Sequence, residues 1–154
     1  GFARLGWGIV DKNGQKNILV QFGCIETDKN FSPSKRLAQI HQELLQLIKA
    51  HKPDSAVIED LFFNTNAKTA IKVGEARGVI LLAFQQSRLP IFHYTPLQIK
   101  QAITGYGRAD KTQIQKMVKT LLRLETIPTP DDAADALAVA LTHAFTIRPP
   151  QGIK

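Results

Sequence analysis

Cysteine is almost absent from this sequence, since Cys24 is the single cysteine among 154 residues and no disulfide can form within the chain. No apolar stretch approaches the roughly 20 residues that a membrane-spanning helix needs. The sequence also lacks a Cys/His cluster with zinc spacing, a Gly-x-x-x-x-Gly-Lys phosphate loop and a Gly-x-Ser-x-Gly turn. These absences argue against a disulfide-rich domain, a zinc site, a P-loop hydrolase and a serine hydrolase.

Positive charge is concentrated in the middle of the chain. The formal net charge is +7, and residues 68–123 contain ten Lys or Arg against two Asp or Glu. A basic surface of this kind attracts a phosphate backbone. A soluble domain with an ordinary high isoelectric point explains the charge equally well, so charge leaves both interpretations open.

The first 26 residues have the pattern of a β-hairpin. Large and small residues alternate from Leu5 to Val10, and apolar residues alternate with others from Ile18 to Cys24. The Asn13-Gly14 pair between them is a strong signal for a tight turn. We therefore expect an antiparallel pair of strands.

The remainder of the chain alternates short apolar runs with helical patterns. A helix capped by Ser32 or Ser34 is expected to run to about His51, where Pro53 follows. Further expected elements are strands at 56–58 and 91–94 and helices at 67–87, 96–103, 110–124 and 132–146. A hairpin followed by strand–helix alternation predicts an α/β domain with a mixed sheet.

Three carboxylates are candidates for a catalytic site. Glu59 ends the apolar strand at 56–58, which predicts a position at the carboxyl edge of the sheet, although an exposed acid at the start of a loop fits as well. Asp132 and Asp135 lie three residues apart on one helix face. Asp132 also suits a helix N-terminus. Asp135 lies among alanines and Leu137, where an inward carboxylate requires a cation.

This combination of acids and a basic segment suggests metal-assisted hydrolysis of a phosphodiester. Mg²⁺ prefers oxygen ligands and retains several waters, so a few converging carboxylates suffice. Two such ions about 4 Å apart can activate a water and stabilise the leaving oxygen.

Four segments follow one another in a distinctive order: GFARLGWG at 1–8, VIEDLF at 57–62, GEARG at 74–78 and DAADALA at 132–138. Together they resemble the RuvC family of crossover-junction endodeoxyribonucleases over nearly the whole chain. The resemblance implies an RNase H-like fold with a mixed five-stranded sheet flanked by helices. It also implies metal-dependent, symmetric nicking of two strands in a four-way Holliday junction during recombination and DNA repair.

The resemblance assigns Glu59, Asp132 and Asp135 as catalytic residues and metal ligands, with two Mg²⁺ ions per site and Mn²⁺ as a substitute. The family's fourth carboxylate is the Asp of an Asp-Pro-Gly turn after the first, central strand. Gly1 matches the Gly of that turn, so we expect the Asp and its strand to lie upstream of this sequence. Residues 1–154 are accordingly expected to form one RNase H-like domain that is incomplete at its N-terminus.

The resemblance also indicates residues that contact DNA. Phe62 matches an aromatic that stacks on opened bases, although Phe62 could belong to the core, with Phe63 in the stacking role. Lys100 and Lys111 match basic positions directed at the DNA backbone. Arg108 is added because of its charge and its place in the Gly/Tyr loop between them. Solvated surface cations are the alternative for all three.

The family's partners follow from the resemblance as well. It implies a homodimer formed through the helix from Ala67 to Ser87, and action with the branch-migration complex RuvA–RuvB. In that helix Ala70, Gly74 and Gly78 recur at four-residue spacing, and each helix glycine costs about 1 kcal/mol. Packing on the chain's own sheet or packing in a dimer would both explain them. We expect a cytoplasmic protein with no membrane partner.

Two other functions remain compatible with the sequence. One is a non-catalytic module that binds four-way junctions and lacks the first catalytic Asp. The other is an RNase H-like nuclease with a different nucleic-acid substrate.

Overall fold

The chain begins with the expected β-hairpin. The computed structural model describes residues 3–61 and 66–147. Strands β1 (Arg4–Asn13) and β2 (Lys16–Glu26) pair antiparallel, with Asn13 opposite Lys16. Gly14 opens the two-residue turn with a φ of 63°, which residues with a Cβ rarely adopt. The predicted hairpin is confirmed.

A second pair of strands lies later in the chain. Strands β3 (Ala56–Glu59) and β4 (Ile91–Tyr94) are parallel, and helix α2 (Ala67–Gln86) connects them. A parallel pair requires such a crossover, because the chain must return to the same end of the sheet. Glu59 lies opposite Tyr94 at the carboxyl ends of both strands.

Helix α1 (Pro33–His51) begins and ends as the sequence predicts. The Ser32 hydroxyl accepts a hydrogen bond from the backbone N–H of Lys35, and Lys52 ends the helix in the left-handed conformation. Helix α1 packs against α2 in one apolar core, whose buried members are Ile25, Ile40, Leu44 and Ala83.

Three helices complete the fold: α3 (Pro96–Thr104), α4 (Lys111–Leu121) and α5 (Asp131–Thr146). Helices α3 and α4 each begin with a capping box, formed by Thr95 with Gln98 and by Asp110 with Gln113. The three helices share a second apolar core with buried residues Ile99, Ile103, Val118, Leu122, Leu137, Ala138, Val139 and Leu141.

Helix α5 lies directly on β1 because two glycines leave room for it. A Cβ added to Gly6 would lie 1.9 Å from the backbone oxygen of Asp132. One added to Gly8 would lie 2.5 Å from Leu137 Cδ2. At the other end of β1, Lys12 Nζ donates to the backbone oxygens of Ala144 and Ile147, which are carbonyls at the helix C-terminus. Close contact thus continues along the strand.

The four strands of the described residues form two separate pairs rather than one continuous sheet. A cavity of about 1060 Å³ lies between β1 and β3 and is lined by residues of both, including Trp7 and Val57. The α/β class is confirmed, and four of the five expected strands belong to the described part of the chain. No helix within that part is both long and apolar enough to cross a membrane.

We predict that Gly6→Ala strongly destabilises the fold. The added methyl group would overlap the backbone of α5, and overpacking of this kind costs about 1–3 kcal/mol or more. Urea unfolding followed by circular dichroism measures the loss. Gln21→Ala, an exposed substitution on β2, is the control and should change the free energy of unfolding by about 0.5 kcal/mol at most. Wild-type stability of Gly6→Ala would show that α5 does not lie this close to β1.

Candidate active site

Strand β3 places Glu59 at the carboxyl edge of the parallel pair. Ala56 at the start of the strand is buried, whereas Glu59 at its end is partly buried. The backbone N–H of Asp60 donates to the Tyr94 oxygen at 2.7 Å, so the ladder continues one residue past Glu59. The predicted location of Glu59 at the edge of the strands is therefore observed.

Helix α5 places Asp132 and Asp135 close to β1. The helix begins at Asp131, and its first turn is held against Gly6. Ala133 and Ala134 are buried, whereas Asp132 and Asp135 are partly exposed. The two aspartates therefore face the cavity between β1 and β3, and Glu59 lines the same cavity. We refer to Glu59, Asp132 and Asp135 together as the carboxylate cleft.

Two acids of the carboxylate cleft, Glu59 and Asp135, have pKa values above the ordinary carboxyl range. Burial raises the pKa of Glu59, the charge of Asp135 raises it further, and Lys100 opposes the shift. Burial also raises the pKa of Asp135, against the opposing charge and hydrogen bond of Lys111, and Asp132 adds to the increase. Ionisation of Glu59 and Asp135 is therefore less favourable than in water. A cation bound nearby would favour the ionised carboxylates.

Lys111 supplies a cation to the cleft from within the chain. Its Nζ lies 3.4 Å from Asp135 Oδ2 and 3.5 Å from Asp131 Oδ2. Burial lowers the pKa of Lys111, but the carboxylates of Asp135 and Asp131 outweigh it and the net shift is upward. A carboxylate of Asp135 that points inward was expected to need a cation. In this structure the side chain is 47% exposed rather than fully inward, and it lies against the ammonium group of Lys111. All three side chains are about half exposed, so the pairs contribute little to stability.

The donor chemistry of the cleft suits a hard divalent cation, because every candidate ligand is a carboxylate oxygen. Among residues 3–61 and 66–147, however, no three acidic, histidine or cysteine side chains converge closely enough to hold a metal ion. The acids are brought together around one cavity, but they do not form a three-ligand centre.

The other expected site residues differ in their burial and in their position relative to the carboxylate cleft. Lys100 is partly buried and close enough to Glu59 to lower its pKa. Arg108 is exposed in the loop before α4. Phe62, the expected base-stacking residue, lies outside the described residues.

A polar network next to the Glu59 backbone was not predicted from the sequence. Arg77, on α2, donates to the Glu59 backbone oxygen and to the Asp60 carboxylate, and His93 contacts both Arg77 and Asp60. The sequence contained one signal for it, since Arg77 belongs to the GEARG segment at 74–78. No spacing rule connects that segment to β3, so the contact follows from the tertiary structure.

Comparison with known proteins identifies the family. The family model described as "Crossover junction endodeoxyribonuclease RuvC" matches residues 1–143. The chain belongs to the RuvC family. A RuvC of Thermosipho melanesiensis is 57% identical over 148 residues, covering 96% of this chain and 94% of the relative. A RuvC of Pelotomaculum thermopropionicum is 54% identical over 144 residues, covering 94% and 88%.

Solved RuvC structures share the fold. Thermus thermophilus RuvC is 36% identical, with a TM-score of 0.85 over 94% of this chain and 89% of that chain. The same protein in complex with a Holliday junction substrate gives a TM-score of 0.86 at 34% identity. The RuvC fold expected from the four sequence segments is therefore confirmed.

We predict that Glu59→Gln stabilises the metal-free protein at neutral pH. Because the folded-state pKa of Glu59 is raised, ionisation destabilises the folded state once the pH exceeds the ordinary carboxyl range. Gln carries no such charge, so Tm in EDTA should rise at pH 7. The gain should vanish near pH 3, where Glu59 is protonated in both states.

The control is Glu125→Gln, an exposed acid outside the cleft, which should leave Tm unchanged at both pH values. A Tm for Glu59→Gln that is lower than wild type at pH 7 would contradict the raised pKa.

Proposed function

We propose that this protein is a crossover-junction endonuclease that nicks two strands of four-way junction DNA in recombination and repair. The observation that carries the proposal is the carboxylate cleft, in which Glu59, Asp132 and Asp135 line one cavity in a member of the RuvC family. Thermus thermophilus RuvC, a relative of the same fold, has been solved in complex with a Holliday junction substrate. We further propose a cytoplasmic location.

The proposed reaction depends on divalent cations, with two Mg²⁺ ions per site and Mn²⁺ as a substitute. Glu59, Asp132 and Asp135 would hold them through carboxylate oxygens, together with the further Asp that the family resemblance implies. Such ions activate water for in-line attack on a phosphodiester and stabilise the leaving oxygen. The raised pKa values of Glu59 and Asp135 support this assignment, because Lys100 and Lys111 do not fully offset the cost of burying these carboxylates and a divalent cation would offset more of it.

The lysines beside the cleft have a proposed role in holding the phosphate backbone. Lys100 is close enough to Glu59 to act on its pKa, so a phosphate bound by Lys100 would lie near the acids. Lys111 pairs with Asp131 and Asp135. If Asp135 held a metal ion, the ammonium group of Lys111 would be freer to bind a phosphate. Arg108 would extend this basic surface, and Phe62 would stack on an opened base.

We predict that Asp135→Asn abolishes cleavage but not binding. The test uses the full gene product with a synthetic four-way junction. With Mg²⁺, single-turnover cleavage should fall by about two orders of magnitude or more, since a ligand of the ions is lost. With Ca²⁺ and no Mg²⁺, the junction Kd should stay close to wild type, because binding rests on the basic surface.

Glu125→Gln is the matched control, because it also removes one carboxylate charge, at an exposed position, and it should cleave normally. Wild-type cleavage by Asp135→Asn would refute its catalytic role. A wild-type protein that binds the junction but never cleaves it would instead support the non-catalytic binding module. Preferential cleavage of another nucleic acid would support the other nuclease.

We also propose that α2 forms the interface of a homodimer. Gly74 and Gly78 have open space where a Cβ would lie, so packing within the described part of the chain does not explain them. Ala76 and Ala83 are buried on the other side of the helix, which packs against α1. The exposed side carries two large apolar residues at compatible spacing, Ile71 and Leu82, which are 61% and 50% exposed.

This exposed face suits a second copy of the same helix, because small residues allow two helix backbones to approach and flanking apolar side chains then become buried. A dimer would place two carboxylate clefts on one junction, as paired nicks require. Cooperation with RuvA–RuvB stays a prediction from the family.

We predict that Ile71→Asp combined with Leu82→Asp yields a monomer. Two charges would have to be buried in the interface, which opposes association. Light scattering coupled to size exclusion should give the mass of one chain for the variant and of two chains for the wild type. Ile18→Asp, at an apolar residue of β2 that is 46% exposed, is the control and should remain dimeric. A dimeric double variant would mean that another surface forms the interface.

A further inference from the structure

Arg77 connects helix α2 to the end of the strand that carries Glu59. Its Nη1 donates to the Glu59 backbone oxygen at 2.5 Å, and its Nη2 donates to Asp60 Oδ1 at 2.5 Å. The Arg77 side chain is 24% exposed. The planar guanidinium group suits two acceptors side by side, which a lysine ammonium does not match.

The contacts of Arg77 restrain the peptide group between Glu59 and Asp60. In a planar trans peptide group, the C=O and N–H bonds point in opposite directions. The N–H of Asp60 faces β4 and donates to the Tyr94 oxygen at 2.7 Å, so the Glu59 carbonyl of the same peptide group points away from β4. Arg77 bonds to that carbonyl. The peptide group directly after Glu59 is thus held on both sides, which fixes the direction in which the Glu59 side chain leaves the backbone.

The guanidinium group of Arg77 is itself held in place. Asp60 forms an ion pair with it, and His93 Nδ1 lies 3.0 Å from Arg77 Nη2 and 3.1 Å from Asp60 Oδ1. His93 belongs to β4, Asp60 follows β3, and Arg77 belongs to α2. Three elements therefore meet next to the backbone of Glu59, and Arg77 also lines the cavity of the carboxylate cleft.

We infer that Arg77 is a positioning residue that holds the backbone of Glu59 in the orientation required for cleavage. The inference rests on the proposed function, in which Glu59 is a metal ligand. Groups that orient metal ligands contribute strongly to activity although they touch neither metal nor substrate. Arg77 acts in this way through the Glu59–Asp60 peptide group.

The first test compares cleavage by Arg77→Ala, Arg77→Lys and Lys49→Ala in the full gene product. Arg77→Ala should lower kcat by about 10- to 100-fold, as loss of an orienting group does. The KM and the junction Kd in Ca²⁺ should stay near wild type, because the guanidinium group of Arg77 is already engaged by Glu59 and Asp60 within the chain. Arg77→Lys keeps the positive charge but lacks the planar guanidinium group that donates to two acceptors side by side, so its kcat should also stay below that of the wild type. Lys49→Ala removes one positive charge from an exposed position in α1 and should be fully active.

Chemical rescue separates positioning from folding. Guanidinium ion at millimolar concentration, far below denaturing levels, should restore part of the kcat of Arg77→Ala. It should do nothing for Arg77→Lys, whose side chain occupies the space. A raised KM with unchanged kcat would instead make Arg77 a DNA contact and overturn the inference.

Amide hydrogen exchange tests the inference without any cleavage. The Asp60 amide bonds to Tyr94, and the Ala56 amide at the other end of the same strand bonds to the Pro90 oxygen at 2.9 Å. In Arg77→Ala, exchange at Asp60 should accelerate by about tenfold or more through local opening, while exchange at Ala56 stays within about twofold.

The two amides also distinguish the possible failures. Equal acceleration at Asp60 and Ala56, or none at either, would show that Arg77 does not hold this peptide group, and the inference would be wrong. If the wild-type protein cleaves no junction but the exchange at Asp60 alone responds, the proposed function fails while the positioning of Glu59 by Arg77 stands.

Discussion

The direct packing of helix α5 on strand β1 is the contact on which the candidate site depends. Gly6 lets the backbone of Asp132 reach the strand, and Gly8 accommodates Leu137, so the first turns of the helix lie against the sheet without an intervening side-chain layer. Lys12 holds the carbonyls at the other end of the helix. The positions of Asp132 and Asp135 are thereby set by backbone contact, which is stiffer than contact through long side chains.

Charge balance at the carboxylate cleft explains how such a site can fold before it binds anything. Several acids near one cavity repel one another, and partial burial adds to the cost of their ionisation. Lys111 lies against Asp135, and Lys100 acts on Glu59. The Lys111–Asp135 pair is about half exposed and therefore contributes little energy. In the proposed function, Lys111 would exchange Asp135 for a phosphate when a cation binds.

The different sides of helix α2 make different contacts. Ala83 packs on α1, Arg77 reaches the end of β3, and the open side carries Gly74, Gly78 and exposed apolar residues. Close approach of a second copy in the proposed dimer would give a physical reason for keeping these glycines in a helix interior despite their cost. In the proposed dimer, α2 would pack against α2 of the second copy and would also position Glu59. The dimer interface and the carboxylate cleft would therefore be connected by a single helix.

The sequence by itself determined the local elements and the identity of the acids. Alternation and Gly14 specified the hairpin, Ser32 and Pro53 bounded the first helix, and an apolar run placed Glu59 at a strand end. These predictions held because short-range sterics and capping act within a few residues. Only the tertiary structure decided that Lys111 faces Asp135 and that two glycines of β1 leave room for α5. It also decided that Arg77 donates to the Glu59 backbone oxygen. Those contacts join residues far apart in the chain, and their partners are chosen by how whole elements pack, which no local pattern encodes.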